Sequence, residues 1–208
     1  MTATDIDTGA ASGAPDYTID ASGWCSGARR LPSPNFDRRP PGTSIDLLVI
    51  HNISLPPGQF GGPYIASLFS NTLAYDAHPY FDQLRPLRVS AHFLIRRTGE
   101  LMQFVSADDR AWHAGASLFE GRERCNDFSI GIELEGSDFV PFEPVQYRCL
   151  AALTRSLLRR YPLASVAGHE HIAPGRKTDP GPCFDWRLYQ ECCIAEEKDT
   201  RLFFPKLA

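Results

Sequence analysis

The sequence lacks any apolar run approaching the ~20 residues that a membrane-spanning helix requires. It also lacks a Cys-x-x-Cys pair, an internal repeat and a long block of like charge. Its first residues, MTATDIDTGAASGAPDYTID, carry no basic n-region and no apolar h-region, so neither a secretory signal nor a membrane anchor is expected. The chain is therefore expected in the cytoplasm. There is no surplus of positive charge: 21 Lys and Arg stand against 25 Asp and Glu, for a net charge of −4. That balance gives no general electrostatic reason to bind nucleic acid or anionic lipid, so a basic ligand site must be local. Six cysteines without metal-ligand spacing, in a chain of 208 residues that needs no disulfide staples, read as reduced thiols. The adjacent Cys192 and Cys193 allow only a rare, strained bridge to each other.

What is present fits one domain with a sizeable core. The Thr-, Ala-, Gly-, Ser- and Asp-rich start reads as a flexible tail over residues 1–20. A catalytic-size domain is expected over 21–190, with residues 191–208 as a C-terminal extension. DLLVIHNI (Asp46 to Ile53) suits a buried central strand. SAHFLIRR and LMQFVS, separated by TGE, suit a hairpin with a glycine-containing turn. SIGIELEG places Ile130, Ile132 and Leu134 on one face of a strand and Ser129, Gly131, Glu133 and Glu135 on the other. Carboxylates on a buried strand face need a cation. Leu150, Leu153, Leu157, Leu158 and Tyr161 fall at helical spacing, with Arg155, Arg159 and Arg160 elsewhere on the cylinder, and Pro162 ends the helix. PLASVAGHE supplies another short strand that delivers His169 to a loop, and DWRLYQECC suits a final helix. The fold class expected is α/β, a mixed β-sheet packed with helices on both faces in a single domain.

The chemistry concentrates in GHEHIAPGRKTDPG, Gly168 to Gly181. Hydrolytic zinc sites commonly use three His, Asp or Glu ligands and leave one position open. His169, His171 and Asp179 offer such ligands within one stretch, and His51 offers another from the end of the first core strand. Residue types and spacing leave all four as candidates. They also leave bland alternatives: His51 as a hydrogen-bonded structural residue, His78 and His92 as packed side chains beside aromatic neighbours, Glu133 and Glu135 as partners of arginines, and Asp179 as a backbone cap in a turn. Cys183, four residues beyond Asp179, reads as a small buried residue of a turn, with competition for metal as the sharper alternative.

VIHNISLPPGQFGGPYI, RVSAHFLIRRTGELMQFV, RAWHAGASLFEGRERCNDFSIGIELEG and GHEHIAPGRKTDPGPCFDW together resemble, almost word for word, the cytosolic AmpD-type amidases. These are the 1,6-anhydro-N-acetylmuramyl-L-alanine amidases of the zinc-dependent type 2 N-acetylmuramoyl-L-alanine amidase family, which is related to the peptidoglycan recognition proteins. The resemblance covers about Gly23 to Trp186. It implies one zinc ion per chain on His51, His169 and Asp179, with His171 where the family tolerates other residues. It further implies Glu133 as general base and Lys177 as oxyanion stabiliser. Within these motifs Trp112 and His113 offer an aromatic wall and a hydrogen-bonding group for substrate, Asn52 a group that orients the site, and Arg124 a planar fork for a stem-peptide carboxylate.

The implied reaction is hydrolysis of the amide between the lactyl group of (1,6-anhydro-)N-acetylmuramic acid and L-alanine of the stem peptide. The implied setting is cytosolic wall recycling and, through it, β-lactamase regulation, with a monomer acting on an anhydromuropeptide. One rival is an amidase acting on polymeric peptidoglycan. The other is a non-catalytic muropeptide-binding module, against which the presence of all five metal and catalytic residues counts.

Overall fold

The computed structural model describes residues 15–194 and 202–205. Ten strands follow one another as β1 (Arg29–Arg30), β2 (Phe36–Asp37), β3 (Leu47–Ile53), β4 (Phe93–Ile95), β5 (Leu101–Gln103), β6 (Arg110–Ala111), β7 (Leu118–Phe119), β8 (Arg122–Glu123), β9 (Ser129–Glu135) and β10 (Ser165–Gly168) among the described residues. The helices are α1 (Tyr64–Phe69), α2 (Pro144–Arg160), α3 (His169–Ile172) and α4 (Trp186–Ile194), with shorter 3-10 turns between them.

Six strands form one sheet in the order β1-β5-β4-β9-β3-β10. Strand β3 runs parallel to both β9 and β10, whereas β4 is parallel to β9 and antiparallel to β5. The sheet is therefore mixed, as expected. β4 and β5 are the two arms of the expected hairpin, and Gly99 in its turn takes the left-handed φ of 86° that a side chain would resist. β3 is buried on both faces from Leu47 to Ile50, which accounts for its unbroken aliphatic sequence.

The alternation in β9 divides the molecule. Ile130, Ile132 and Leu134 join Leu48, Ile50, Phe93 and Ile95 against the inner face of α2, where Leu150, Leu153 and Leu157 are fully buried. Pro144 begins α2, and the Gln146 side chain accepts the Glu143 N–H at 2.9 Å while donating to the carbonyls of Ile95 and Glu135 at 3.3 and 3.1 Å. One residue thus caps the helix and ties it to two strands. Helix α4 packs on α2, with Tyr189 Oη 2.7 Å from Thr154 Oγ1 inside the core. The opposite face is covered by α1 and the turn around Phe81, and by α3 with Phe128 and Ala114. Helices lie on both faces.

Three expectations change. The N-terminal tail does not extend to residue 20: Tyr17 is 6% exposed within the main core, its carbonyl accepts hydrogen bonds from Ser156 and Arg159, and Ile19 bridges Cys25. An aromatic ring in an otherwise polar segment is enough to dock it. The C-terminal extension is partly built into the domain: Cys193 is buried, and Phe203 exchanges backbone hydrogen bonds with Ala164 and Val166 at 2.9 and 2.8 Å along the outer edge of β10. Last, His169 opens the four-residue helix α3 rather than a loop. The six cysteines are all thiols, as expected.

Candidate metal centre and catalytic cavity

The parallel register brings the site together. His51 of β3 pairs with Glu133 of β9, and Gly168 of β10 pairs with Ile50, so the chain leaves β10 with His169 level with His51. Both lie toward the carboxyl ends of parallel strands, where open α/β sheets form their ligand crevices. The stretch after α3 then returns: Asp179 accepts the Glu170 N–H through its carbonyl at 2.8 Å, and its carboxylate turns inward.

Three atoms converge there. His51 Nδ1 lies 2.9 Å from Asp179 Oδ2 and 3.0 Å from His169 Nδ1, which is itself 3.1 Å from Asp179 Oδ2. The outer nitrogens are engaged by protein. His169 Nε2 faces the Ala114 carbonyl at 3.1 Å and must carry its proton there, which leaves Nδ1 as a lone pair. His51 Nε2 faces His113 Nδ1 at 3.0 Å, and His113 Nε2 faces Ser129 Oγ at 3.3 Å. Ser129 Oγ in turn donates to the Cys125 carbonyl at 2.6 Å. The chain of donors runs outward from the cluster and leaves its centre rich in lone pairs. Two imidazole nitrogens, each ring anchored from behind, and a carboxylate aimed at the same point fit a divalent cation of the zinc kind.

Electrostatics point the same way. Burial lowers the His51 pKa, partly offset by its hydrogen bond with Asp179. Burial pushes the Asp179 carboxyl up, but the two imidazoles of His169 and His51 beside it, which could take up a proton and become cationic, outweigh it and hold the group well below the usual carboxylate range. Glu133 behaves oppositely: burial pushes it well above its ordinary value, the Asp179 charge adds to this, and Lys177 acts against it. Its Oε2 is buried without a hydrogen-bond partner. Orphaned buried carboxylate atoms are costly and concentrate where chemistry requires them. Glu135, two residues on, shows the contrast: it accepts N–H groups of Gly61 and Arg97 at 2.7 and 3.1 Å and lies 3.3 Å from Arg96 Nε. The arginine partner weighed as an alternative for both glutamates is found at Glu135.

A cavity of about 370 Å³ opens over the cluster and is lined by His51, Glu133, His169, Lys177 and Asp179, with Trp112 among its walls. Trp112 Nε1 is a second buried polar atom without a partner. Asn52 also lines the cavity and holds it in shape, donating to Asp138 Oδ1 at 2.7 Å and the Pro180 carbonyl at 3.0 Å. Two residues read as substrate contacts have protein partners in the structure, and the first of them, His113, lines the cavity. His113 has both ring nitrogens turned to protein groups, so it supports His51 rather than offering a free hydrogen bond to a ligand. Arg124 is not among the residues lining the cavity; its side chain is 68% exposed and pairs with Asp127 at 3.2 Å. His171 is outside the cluster, accepting the Gly168 N–H at Nδ1 at 2.8 Å. His92 and His78 are structural: the first accepts the Gly131 N–H and the second the Tyr80 N–H. Cys183 is partly buried against the main core.

The support from Gly131 escaped the sequence. A Cβ at this position would run into the His113 ring, so only glycine lets the imidazole reach His51. The signal was there, since glycine within an aliphatic strand marks a close approach.

A parallel-strand pocket with a His, His, Asp donor set beside an isolated glutamate has the design of a metal-dependent hydrolase. The profile of the N-acetylmuramoyl-L-alanine amidase family matches residues 41–182, a span that contains β3, β9 and Asp179, and the chain belongs to that family. Within it, the chain is 60% identical over 170 residues to the 1,6-anhydro-N-acetylmuramyl-L-alanine amidase AmpD of Salmonella typhimurium (strain SL1344), covering 81% of this chain and 91% of that protein. A crystal structure of a selenomethionine AmpD derivative matches with a TM-score of 0.81 at 58% identity, over 82% of this chain and 97% of the other. The amidase AmiD from Escherichia coli, solved in complex with anhydro-N-acetylmuramic acid-L-Ala-D-γ-Glu-L-Lys, matches with a TM-score of 0.51 at 31% identity, over 74% of this chain and 60% of the other.

Proposed function

We propose that the chain hydrolyses the amide between the lactyl group of 1,6-anhydro-N-acetylmuramic acid and L-alanine of the stem peptide, with one zinc ion held by His51, His169 and Asp179. The observation that carries this is the convergence of three ligand atoms within 3.1 Å of one another in the same cavity as the unpartnered Glu133 carboxylate. A bound zinc ion would supply Lewis acidity, bringing the pKa of a water to around 7 and polarising the scissile carbonyl.

The protein's own groups supply the rest. Glu133 Oε2, raised in pKa and free of other partners, takes the proton of the attacking water and passes it to the nitrogen as the C–N bond breaks. Lys177 lines the cavity as a cation where negative charge grows on the carbonyl oxygen, a contact that strengthens only toward the transition state. Trp112 walls the cavity for the bound substrate, and Asn52 keeps the Asp138 and Pro180 segments in place around it.

The setting we infer is cytoplasmic recycling of anhydromuropeptides, with β-lactamase regulation as its downstream effect. No helix among the described residues is long and apolar enough to cross a membrane. Mass spectrometry of products from zinc-loaded protein, with a chelated control, tests the assignment. Zinc-dependent release of tripeptide from anhydromuramyl-tripeptide is expected; cleavage of intact sacculi alone would replace the recycling role with wall hydrolysis.

A further inference from the structure

The turn after β9 presents a side chain that the fold does not use. Phe139 is 89% exposed, the most exposed large hydrophobic residue among the described ones. The turn around it is well held. Ser137 and Val140 form an antiparallel bridge, and Ser137 Oγ accepts the Phe139 N–H at 3.3 Å. Neighbouring Asp138 receives the Asn52 side-chain N–H at 2.7 Å and lies against Gly181, where a Cβ would collide with it. The Gly136 N–H donates to the Ile53 carbonyl at 3.0 Å. A ring kept in water on a fixed turn leaves apolar surface to be covered by a ligand.

Phe139 borders a cleft of about 570 Å³ that shares Asn52, Ser54, Pro57, Tyr80, Lys177 and Asp179 with the catalytic cavity. The two spaces differ in chemistry. Phe69, Leu87, Val89 and Trp112 give the catalytic cavity its apolar walls. The outer cleft instead is lined by Phe139 together with the polar residues Asn52, Ser137, Asp138 and Thr178 and the basic Arg176 and Lys177. Hydroxyl, amide and carboxyl groups around an aromatic face suit a saccharide, whose hydroxyls need polar partners and whose C–H face can lie on a ring.

We propose that Phe139 is the platform for the sugar arm of the substrate, so that the saccharide occupies the outer cleft. This rests on the amidase reading above. The ring is a specificity-determining contact and takes no part in bond making or breaking.

The test compares wild type, Phe139→Ala and Phe139→Trp on anhydromuramyl-tripeptide and anhydromuramyl-dipeptide, and measures binding of free 1,6-anhydro-N-acetylmuramic acid by calorimetry. Because the ring is exposed, the Ala variant should melt with wild type. The expected result is a KM raised about three- to tenfold by Phe139→Ala, equally for both stem lengths and with kcat unchanged, as for loss of one aromatic contact. The free sugar should weaken by the same factor, and Phe139→Trp should restore both. An unchanged KM and sugar affinity would overturn the proposal, as would a KM effect that shrinks with the shorter stem, which would put peptide on the ring. Wild-type protein that binds the sugar through Phe139 without cleaving either substrate would sink the amidase reading alone.

Discussion

At the scale of single residues the proposed mechanism separates the site into groups that hold, groups that react and groups that support, and each fails differently. Asp179→Ala removes the only carboxylate of the ligand cluster; metal content by mass spectrometry and hydrolysis should both be lost. Glu133→Gln keeps shape and cluster but removes the proton acceptor, so zinc should remain at full stoichiometry while kcat falls about a hundred- to ten-thousandfold. Unchanged turnover in that variant would end its assignment as base. Gly131→Ala touches neither metal nor substrate, yet its new methyl group must displace the His113 ring. Metal affinity, read by chelator competition, should drop roughly 10- to 100-fold, as when other outer partners of a ligating histidine are lost. Residue type put His51, His169 and Asp179 among the metal candidates, with His171 not excluded, and strand alternation put Glu133 on a polar face; the ligand set and the base were implied only by the family resemblance, and the structure brings these four residues into one cavity. The protein partners of His113 and Arg124 were not legible, because a neighbour in sequence need not turn toward the same space. Arg124 adopts a left-handed φ of 62° and faces Asp127 instead.

Elements carry that information unequally. β3, β9 and α2 were readable because each is long enough for its period to register: a continuous aliphatic run, a clean alternation and three turns of helical spacing. α1 with six residues and α3 with four give too few repeats to detect, and α3 matters because it sets the direction of His169. Strand order was also hidden, since His51 and Glu133 are far apart in sequence and only the register of β3 with β9 pairs them. The α2–α4 contact has its own test. Tyr189 is fully buried and its hydroxyl meets Thr154 at 2.7 Å, so Tyr189→Ala should cost about 3–5 kcal/mol by denaturant unfolding, the range for losing a large aromatic core side chain.

The molecule as a whole should lose stability in acid through a residue outside the ligand set. His92 is buried, and burial, reinforced by the Arg39 charge, pulls its pKa down to about 3. The unfolded chain binds a proton at this group below about pH 6.5 while the folded chain does not, so stability is intact above that pH and declines as pH falls toward 3. The slope from His92 alone should be up to about 1.4 kcal/mol per pH unit, and urea midpoints between pH 7.5 and 4.5 should show it flattened in His92→Gln. The outer edge of the sheet has a consequence of another kind. Phe203 occupies the Val166 N–H and the Ala164 carbonyl at the start of that edge, and an uncovered strand edge is a template for pairing with further chains. A protein shortened to end at Ile194 would retain every group of the proposed metal and catalytic site and still be at risk of aggregating, its failure one of solubility rather than of chemistry.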